Sequence, residues 1–298
     1  MTKIKITKMH GCGNDFVFMD YEEYQKTGLS LEELSEKLCD RHFGIGGDGV
    51  IFINPSKIAD FEMEMWNADG TRGEMCGNGI RCVGKFVFDK GMTSSKEITV
   101  ESFGKVKYLT LYSEEEGGKE VVTSVRVNMG EPILDADDIP VIAGNSPVVA
   151  ETIRIDEKDD DPDDDLEPSG VYEMTCVSMG NPHAVVYIDS TDDLDIEEIG
   201  PLFENHHRFP NRTNTEFVQI VDREHVKMRV WERGSGETLA CGTGCCAVCV
   251  AGVLNGFTAP RLEVEVLGGT LLIEWDPEEN LVWMTGPATT VFEGTITV

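Results

Sequence analysis

Two cysteines, Cys76 and Cys241, are the residues whose setting points most directly to chemistry. Each opens a Cys-Gly-x-Gly turn, Cys76-Gly77-Asn78-Gly79 and Cys241-Gly242-Thr243-Gly244. Each follows a tryptophan by ten residues, Trp66 in one case and Trp231 in the other. A stretch that reads as helix comes after both. A thiol at a helix N-terminus sits at the positive end of the helix dipole, where unpaired N–H groups stabilise a thiolate. The same N–H groups can hold a substrate carboxylate, and the glycines let a ligand approach the backbone. A single such cysteine is more often a buried structural thiol. A pair at repeat-related positions with matching glycines favours function. Two thiols facing each other across a cleft suit one reaction: a base removes a proton from one face of a carbon, and an acid returns one to the other face. That inverts a stereocentre without a cofactor. The carbon beside an amino acid carboxylate is a very weak acid, so its carbanion needs preorganised N–H donors on that carboxylate.

The elements that must position the thiols are themselves duplicated. The cysteines lie 165 residues apart, and nearly the same offset carries Gly13-Asn14 onto Gly180-Asn181, and Ile98-Thr99-Val100 with Gly104 onto Leu262-Glu263-Val264 with Gly268. We read an α+β chain of two pseudo-symmetric domains, each a strand-rich, barrel-like sheet around a central helix. The first domain is 1–128 with a C-terminal strand 286–298, and the second is 129–285. Residues 30–42 read as a helix, with Ser30 and Glu33 as a capping box and Leu31, Leu34 and Leu38 at helical spacing. Helices are also expected over 78–88, near 194–203 and over 244–254, the last apolar all round and therefore buried. Alternating runs over 61–66, 97–101, 105–111 and 121–128, and over 174–179, 184–188, 216–221 and 225–231, read as strands, with antiparallel meanders closing the first half.

Composition sets the class. The chain has 298 residues, enough for two domains, and 40% hydrophobic content. No apolar run approaches the roughly 20 residues of a membrane span, and the N-terminus alternates like a strand rather than a signal peptide. A cytoplasmic address is the default. Nine cysteines, an odd number, point to reduced thiols. There are 55 acidic against 25 basic residues, for a net charge of −30. That field repels nucleic acid and anionic membrane, so neither is an expected partner. The acids are spread along the chain, and we read a halophilic-type acidic surface rather than an ordinary acidic one.

Other motifs carry weaker readings. Gly44-Ile45-Gly46-Gly47-Asp48-Gly49 satisfies a dinucleotide fingerprint, but a helix precedes it and a strand follows, the reverse of what that site needs. It reads as a glycine-rich turn. The acidic run 156–167 lacks the EF-hand spacing and glycine, and reads as a solvated loop. Cys241, Cys245, Cys246 and Cys249 could suggest zinc or an iron–sulfur cluster. On a helix, however, Cys246 points away from the face shared by Cys245 and Cys249, and no Cys-x-x-Cys pair at zinc-finger spacing accompanies them. No metal is expected. His183 is either a satisfied polar residue beside the Asn181 turn or a substrate contact. Glu232 and Arg233 are either a salt-bridged pair beside Trp231 or recognise a polar amino acid, with Arg233 suited to a carboxylate.

Taken together, six motifs resemble the diaminopimelate epimerase family. They are Met9-His10-Gly11-Cys12-Gly13-Asn14-Asp15-Phe16, Asn67-Ala68-Asp69-Gly70, Met75 to Cys82, Met179-Gly180-Asn181-Pro182-His183, Glu232 to Thr238 and Ala240 to Gly244. The resemblance runs from Lys8 to about Pro287. It implies a small-molecule substrate, interconversion of LL- and meso-diaminopimelate on the way to lysine, no pyridoxal phosphate or other cofactor, and a fold of two pseudo-symmetric barrels. A homodimer is compatible with it. By resemblance, Cys76 and Cys241 are the catalytic pair. Gly77-Asn78 and Gly242-Thr243 grip the carboxylate at the reacting centre. Asn67, Asn181, Asn214 and Arg233 hold the distal end, and Asn14 is a further substrate contact. His183 and Glu232 help hold the reacting amino group and steer the thiols. One position departs from the pattern: some members place a substrate-contacting Gln where this chain has Gly49. Proline racemase relatives share the paired-thiol logic without the Asn-rich distal site, and a non-catalytic protein would tolerate serine at Cys76.

Overall fold

The computed structural model describes residues 2–73, 75–155 and 170–298, so the acidic run 156–167 lies outside the described residues. In chain order the elements are β1 (Lys3–Gly11), β2 (Asn14–Asp20), α1 (Tyr21–Gln25), α2 (Leu31–Cys39), β3 (Gly49–Asn54), β4 (Phe61–Asn67), α3 (Gly77–Asp89), β5 (Glu97–Ser102), β6 (Lys105–Glu116) and β7 (Lys119–Gly130). They continue with β8 (Glu151–Ile155), β9 (Gly170–Ser178), β10 (Pro182–Tyr187), α4 (Ile196–Glu204), β11 (Asn214–Ile220), β12 (His225–Glu232), β13 (Gly236–Thr238), α5 (Gly242–Leu254), β14 (Arg261–Val266), β15 (Gly269–Asp276), β16 (Leu281–Pro287) and β17 (Thr289–Thr297). The chain divides into two compact units, 1–128 with 285–298, and 129–284.

In the first unit the strands run β17-β1-β2-β3-β4-β5-β6-β7. All neighbours are antiparallel except β2–β3 and β4–β5, which are parallel. A parallel pair needs a crossover connection, and α2 and α3 supply the two. The antiparallel meander read from the sequence holds for β5-β6-β7. The parallel pairs escaped it because alternation does not encode strand direction. Helix α3 lies against β1, β2 and β6 and is buried from Gly77 to Val87. A Cβ on Gly84 would stand 2.7 Å from Leu111 Cδ2, so the missing side chain is what lets the sheet close on the helix.

The second unit repeats this arrangement. Its strands run β8-β9-β10-β11-β12-β14-β15, with parallel pairs at β10–β11 and β12–β14. The crossovers are α4 and α5. Helix α5 lies against β9, β10, β11, β14 and β15 and is buried on all sides from Gly244 to Gly252. Its small residues (Cys245, Cys246, Ala247, Cys249, Ala251) keep it thin enough for strands to surround it. All nine cysteines are thiols.

Local signals account for most boundaries. Ser30 caps α2 and exchanges bonds with Glu33, completing the capping box. Helix α4 starts at Ile196 because Asp195 is its cap, accepting from Glu198 N at 3.3 Å. The short α1 has no counterpart in our sequence reading, although Asp20 caps it by accepting from Glu23 N at 2.9 Å. Among the described residues no helix is long and apolar enough to cross a membrane.

Charge leads to a stability prediction. With 55 acids and 25 bases, at least thirty carboxylates have no basic partner to match them. Their mutual repulsion reaches about 30 Å at 0.01 M salt and about 3 Å at 1 M. Folding concentrates the charges, so dilute salt penalises the native state more than the unfolded one. The melting temperature is expected to rise with KCl from 0.05 to 2 M in a thermal-shift series. A flat series would remove the halophilic reading and leave the site untouched.

Candidate active site

Cys76 is the N-cap of α3, and its sulfur accepts from Gly79 N at 3.3 Å. It stays half-buried. The thiol donates to Asn14 Oδ1 at 3.4 Å, and Asn78 Nδ2 donates to the same oxygen at 3.4 Å. The orientation of Asn14 is held from behind: its Nδ2 donates to Asp48 Oδ2 at 2.6 Å, and Asp15 N donates to that oxygen at 3.0 Å. Arg41 Nη2 in turn bonds Asp48 at 2.8 Å and Asp15 at 3.0 Å, while Lys8 pairs with Asp15. Burial alone would raise the Asp15 carboxyl, but hydrogen bonds from Lys8 and Arg41 bring it below the usual carboxylate range. The glycine-rich loop therefore serves as a brace for Asn14.

Fully buried Arg81 reaches back from the second turn of α3. It donates to Gly77 O at 3.1 Å, Asn78 Oδ1 at 3.0 Å and Pro287 O at 3.2 Å, and approaches Cys12 Sγ at 3.7 Å. It thus ties the Gly77-Asn78 turn to the strands around it. Burial pushes the Cys12 thiol up although Arg81 pulls it back, and burial holds Cys82 at about 12. Neither is a nucleophile at neutral pH. Asn67, at the end of β4, spends its Nδ2 on Thr71 Oγ1 at 3.0 Å rather than on the cysteine turn. A Cβ on Gly49 would stand 2.5 Å from Trp66 O, so the position is closed to any side chain, glutamine included, unless the backbone moves.

In the second unit Cys241 caps α5 and is 5% exposed. Its sulfur lies 3.5 Å from Thr243 Oγ1, which accepts from Asn181 Nδ2 at 3.3 Å. Asn181 Oδ1 faces His183 Nε2 at 3.1 Å, and His183 Nδ1 faces Glu216 Oε1 at 2.7 Å. His183 and Glu216 are both fully buried. The helix N-terminus alone favours a thiolate here, but the opposite sign prevails. Burial pushes the Cys241 thiol well up, the carboxylates of Glu232 and Glu216 add to that, and bonds from Thr243 and Gly244 N only partly offset it. Asn214, the first residue of β11, accepts from Arg233 N at 2.8 Å. Arg233 donates through Nη1 to Asn211 O at 2.9 Å, and Glu232 accepts from Thr238 Oγ1. Each of the two thus has a partner of its own, and of the two readings the salt-bridged pair of Glu232 with Arg233 is not what is seen among the described residues.

The side chains of His183, Glu216 and Cys241 bring N, O and S atoms within 4.8 Å of one another, a spacing that would admit a cation. Both ring nitrogens of His183 already have side-chain oxygen partners, Glu216 Oε1 and Asn181 Oδ1. Cys245, Cys246 and Cys249 take no part in this cluster. The first unit thus gathers Asn14, Cys76, Gly77 and Asn78, and the second gathers Asn181, His183, Cys241 and Thr243. Sequence reasoning missed Asp48, Arg81, Thr238 and Glu216. Asp48 and Glu216 act on other site residues through tertiary contacts, and Arg81 and Thr238 through bonds to residues nearby in the chain. Only Glu216, a carboxylate at the repeat position that Ile51 holds in the first unit, left a visible signal.

A family model described as "Diaminopimelate epimerase" matches residues 6–134 and 175–291. A protein named diaminopimelate epimerase from Methanococcus maripaludis is 50% identical over 295 residues, covering 99% of this chain and 100% of the relative. One of the same name from Agathobacter rectalis is 52% identical over 299 residues, covering 99% and 100%. Among solved structures, a Bacillus anthracis phenazine biosynthesis protein of the PhzF family superposes with a TM-score of 0.67 at 16% identity, covering 100% of both chains. A hydroxyproline epimerase from Agrobacterium vitis superposes with a TM-score of 0.64 at 13% identity, covering 99% of this chain and 91% of that one. These last two likenesses are of fold.

Proposed function

This chain belongs to the diaminopimelate epimerase family, an isomerase family, and on that footing we propose that it interconverts LL- and meso-2,6-diaminopimelate by two-thiol proton transfer. The observation that carries the mechanism is the placement of Cys76 and Cys241 as N-caps of the repeat-related helices α3 and α5. One sulfur takes the α-proton, and the other delivers a proton to the opposite face of the same carbon. Negative charge that develops on the carboxylate during the transfer is met by backbone N–H groups of Gly77-Asn78 and Gly242-Thr243, fixed before the reaction begins. Asn67, Asn181, Asn214 and Arg233 hold the distal amino acid end, and Asn14 orients the substrate beside Cys76. His183 and Glu232 support the reacting amino group. No metal or pyridoxal phosphate enters this scheme, and lysine biosynthesis in the cytoplasm is its proposed setting.

The test is proton NMR of LL-diaminopimelate in D₂O with purified enzyme and EDTA, without added cofactor. The expected outcome is loss of one α-proton signal as meso product forms, at a rate EDTA does not change. Absence of exchange would overturn the substrate assignment. Turnover abolished by chelation and restored by a metal would overturn the cofactor-free scheme.

A further inference from the structure

The two units are repeats, so a position that differs between them marks what one thiol has and the other lacks. Phe16 pairs with Gly49 across β2–β3, as His183 pairs with Asn214 across β10–β11. Two residues further along each partner strand lie Ile51 and Glu216. The helices confirm the match: a Cβ on Gly79 would stand 2.6 Å from Ile51 Cδ1, and one on Gly244 would stand 2.6 Å from Glu216 Oε1. The apolar pair Phe16–Ile51 of the first unit is thus replaced in the second by His183–Glu216. Glu216 Oε2 is buried with no hydrogen-bond partner. Leaving a buried acceptor unpaired is unfavourable, and isoleucine at this position would avoid it.

The bonds around the two sulfurs run in opposite senses. At Cys76 the S–H donates to Asn14 Oδ1 while the sulfur accepts from Gly79 N. In the second unit Asn181 Nδ2 donates to Thr243 Oγ1, and its Oδ1 faces His183 Nε2, which donates to it when that nitrogen carries a proton. The Thr243 hydroxyl, having accepted from Asn181, has its own proton left to donate to Cys241 Sγ. This sense requires a proton on Nε2; when the ring carries both protons, Nδ1 donates to Glu216 Oε1. If His183 lost its Nε2 proton, the Asn181 amide would turn over, the Thr243 hydroxyl would donate to Asn181, and Cys241 would become the donor.

We propose that Glu216 is a positioning residue that keeps both nitrogens of His183 protonated and, through Asn181 and Thr243, aims a hydroxyl donor at Cys241 Sγ. This rests on the two-thiol reading given above and assigns the two sulfurs unequal roles. Cys76 is held as the proton donor, and Cys241 is supported as a thiolate against its burial and the nearby Glu232 carboxylate. When Cys241 gives its proton to the substrate carbanion, the C–H bond forms and the S–H bond breaks. The proton shared between Glu216 Oε1 and His183 Nδ1 then moves toward nitrogen, placing positive charge at the head of the chain that ends on the new thiolate. When Cys241 takes a proton, it moves back toward oxygen. The groups facing the Cys241 sulfur are Glu232 from β12, Glu216 from β11, His183 from β10, and Thr243 with Gly244 N from α5 itself.

The experiment is nitrogen NMR of ¹⁵N-histidine-labelled enzyme without substrate, joined to pH–rate profiles of the wild type and Glu216→Gln. In the wild type at neutral pH, both His183 nitrogens are expected to be protonated. In E216Q the ring should be neutral with a single N–H, kcat should fall about a hundredfold, the lower end of what a positioned acid or base contributes, and KM should stay within about twofold. The ascending limb of kcat/KM should move to higher pH, because the Cys241 thiolate is less supported. A neutral His183 ring in the wild type would overturn the proposal even if E216Q failed to fold. So would an E216Q enzyme with unchanged kcat and profile. The NMR result is independent of substrate, so a wild-type enzyme inert toward diaminopimelate would overturn only the proposed function.

Discussion

Cys76→Ser and Cys241→Ser should each lose about 10²- to 10⁴-fold in epimerase turnover, the range that a positioned general acid or base contributes, while still binding substrate. A serine hydroxyl occupies nearly the same place but does not ionise in the accessible pH range, so it can neither take an α-proton nor hold the negative charge afterwards. Each variant keeps one sulfur with its cap geometry intact, because Gly77-Asn78 and Gly242-Thr243 present backbone N–H groups whatever the cap side chain is. Substrate affinity measured by calorimetry should therefore change far less than kcat. A single remaining thiol can still act in a reaction that needs proton movement on one face only, so elimination of HX from a β-halo substrate analogue should persist in both variants. Near-normal epimerisation by either would end the two-thiol mechanism. Loss of binding together with turnover would make the cysteines structural.

That prediction uses features legible in the sequence. The tryptophan-to-cysteine spacing, the Cys-Gly-x-Gly turns and the capping box at Ser30 are local signals, and helices α3, α5 and α2 form where those signals lie. What could not be read is what tertiary contacts decide. Strand direction was one such case: β2–β3 and β4–β5 are parallel because α2 and α3 cross over, and alternation of apolar residues is the same in either direction. The ionisation of Cys241 was another. A helix N-terminus is visible in a sequence, but the depth of burial and the approach of Glu216 and Glu232 are not, and these set the sign. Asp48 sits in a loop that reads as a plain glycine-rich turn, yet it fixes which way the Asn14 amide faces. The repeat did hold retrievable information: aligning the halves on Cys76 and Cys241 places Glu216 opposite Ile51, and that mismatch is visible before any coordinates.

Arg81→Met should lower stability by roughly 2–6 kcal/mol, since the buried Asn78 Oδ1 and the part-buried Pro287 O lose their donor at about 1–3 kcal/mol each. The sign is not obvious in advance. Arg81 is a buried cation, and replacing buried ionic groups with apolar ones is often neutral or stabilising when the partners are replaced as well. Here they are not: Asn78 Oδ1, at 3.0 Å, and Pro287 O, at 3.2 Å, stay in place facing a methionine side chain that donates nothing. The Gly77 carbonyl suffers less, because its place in the first turn of α3 gives it a partner from the helix ladder. For a chain of this length each kcal/mol moves the melting temperature by about 2–4 °C, so a drop on the order of 5–20 °C is expected. The effect should also reach the reaction. Asn78 loses one of the bonds that orient its amide, and the turn meant to meet the substrate carboxylate loosens, so KM should rise more than kcat falls. Arg81→Lys keeps the charge but cannot reproduce the fork that reaches Gly77, Asn78 and Pro287 together, and should fall between wild type and R81M in both measurements. Thermal melts of the three proteins with steady-state kinetics at saturating salt decide it. An R81M enzyme with wild-type melting temperature and KM would show that the Gly77-Asn78 turn is held by the helix and its cysteine cap without Arg81.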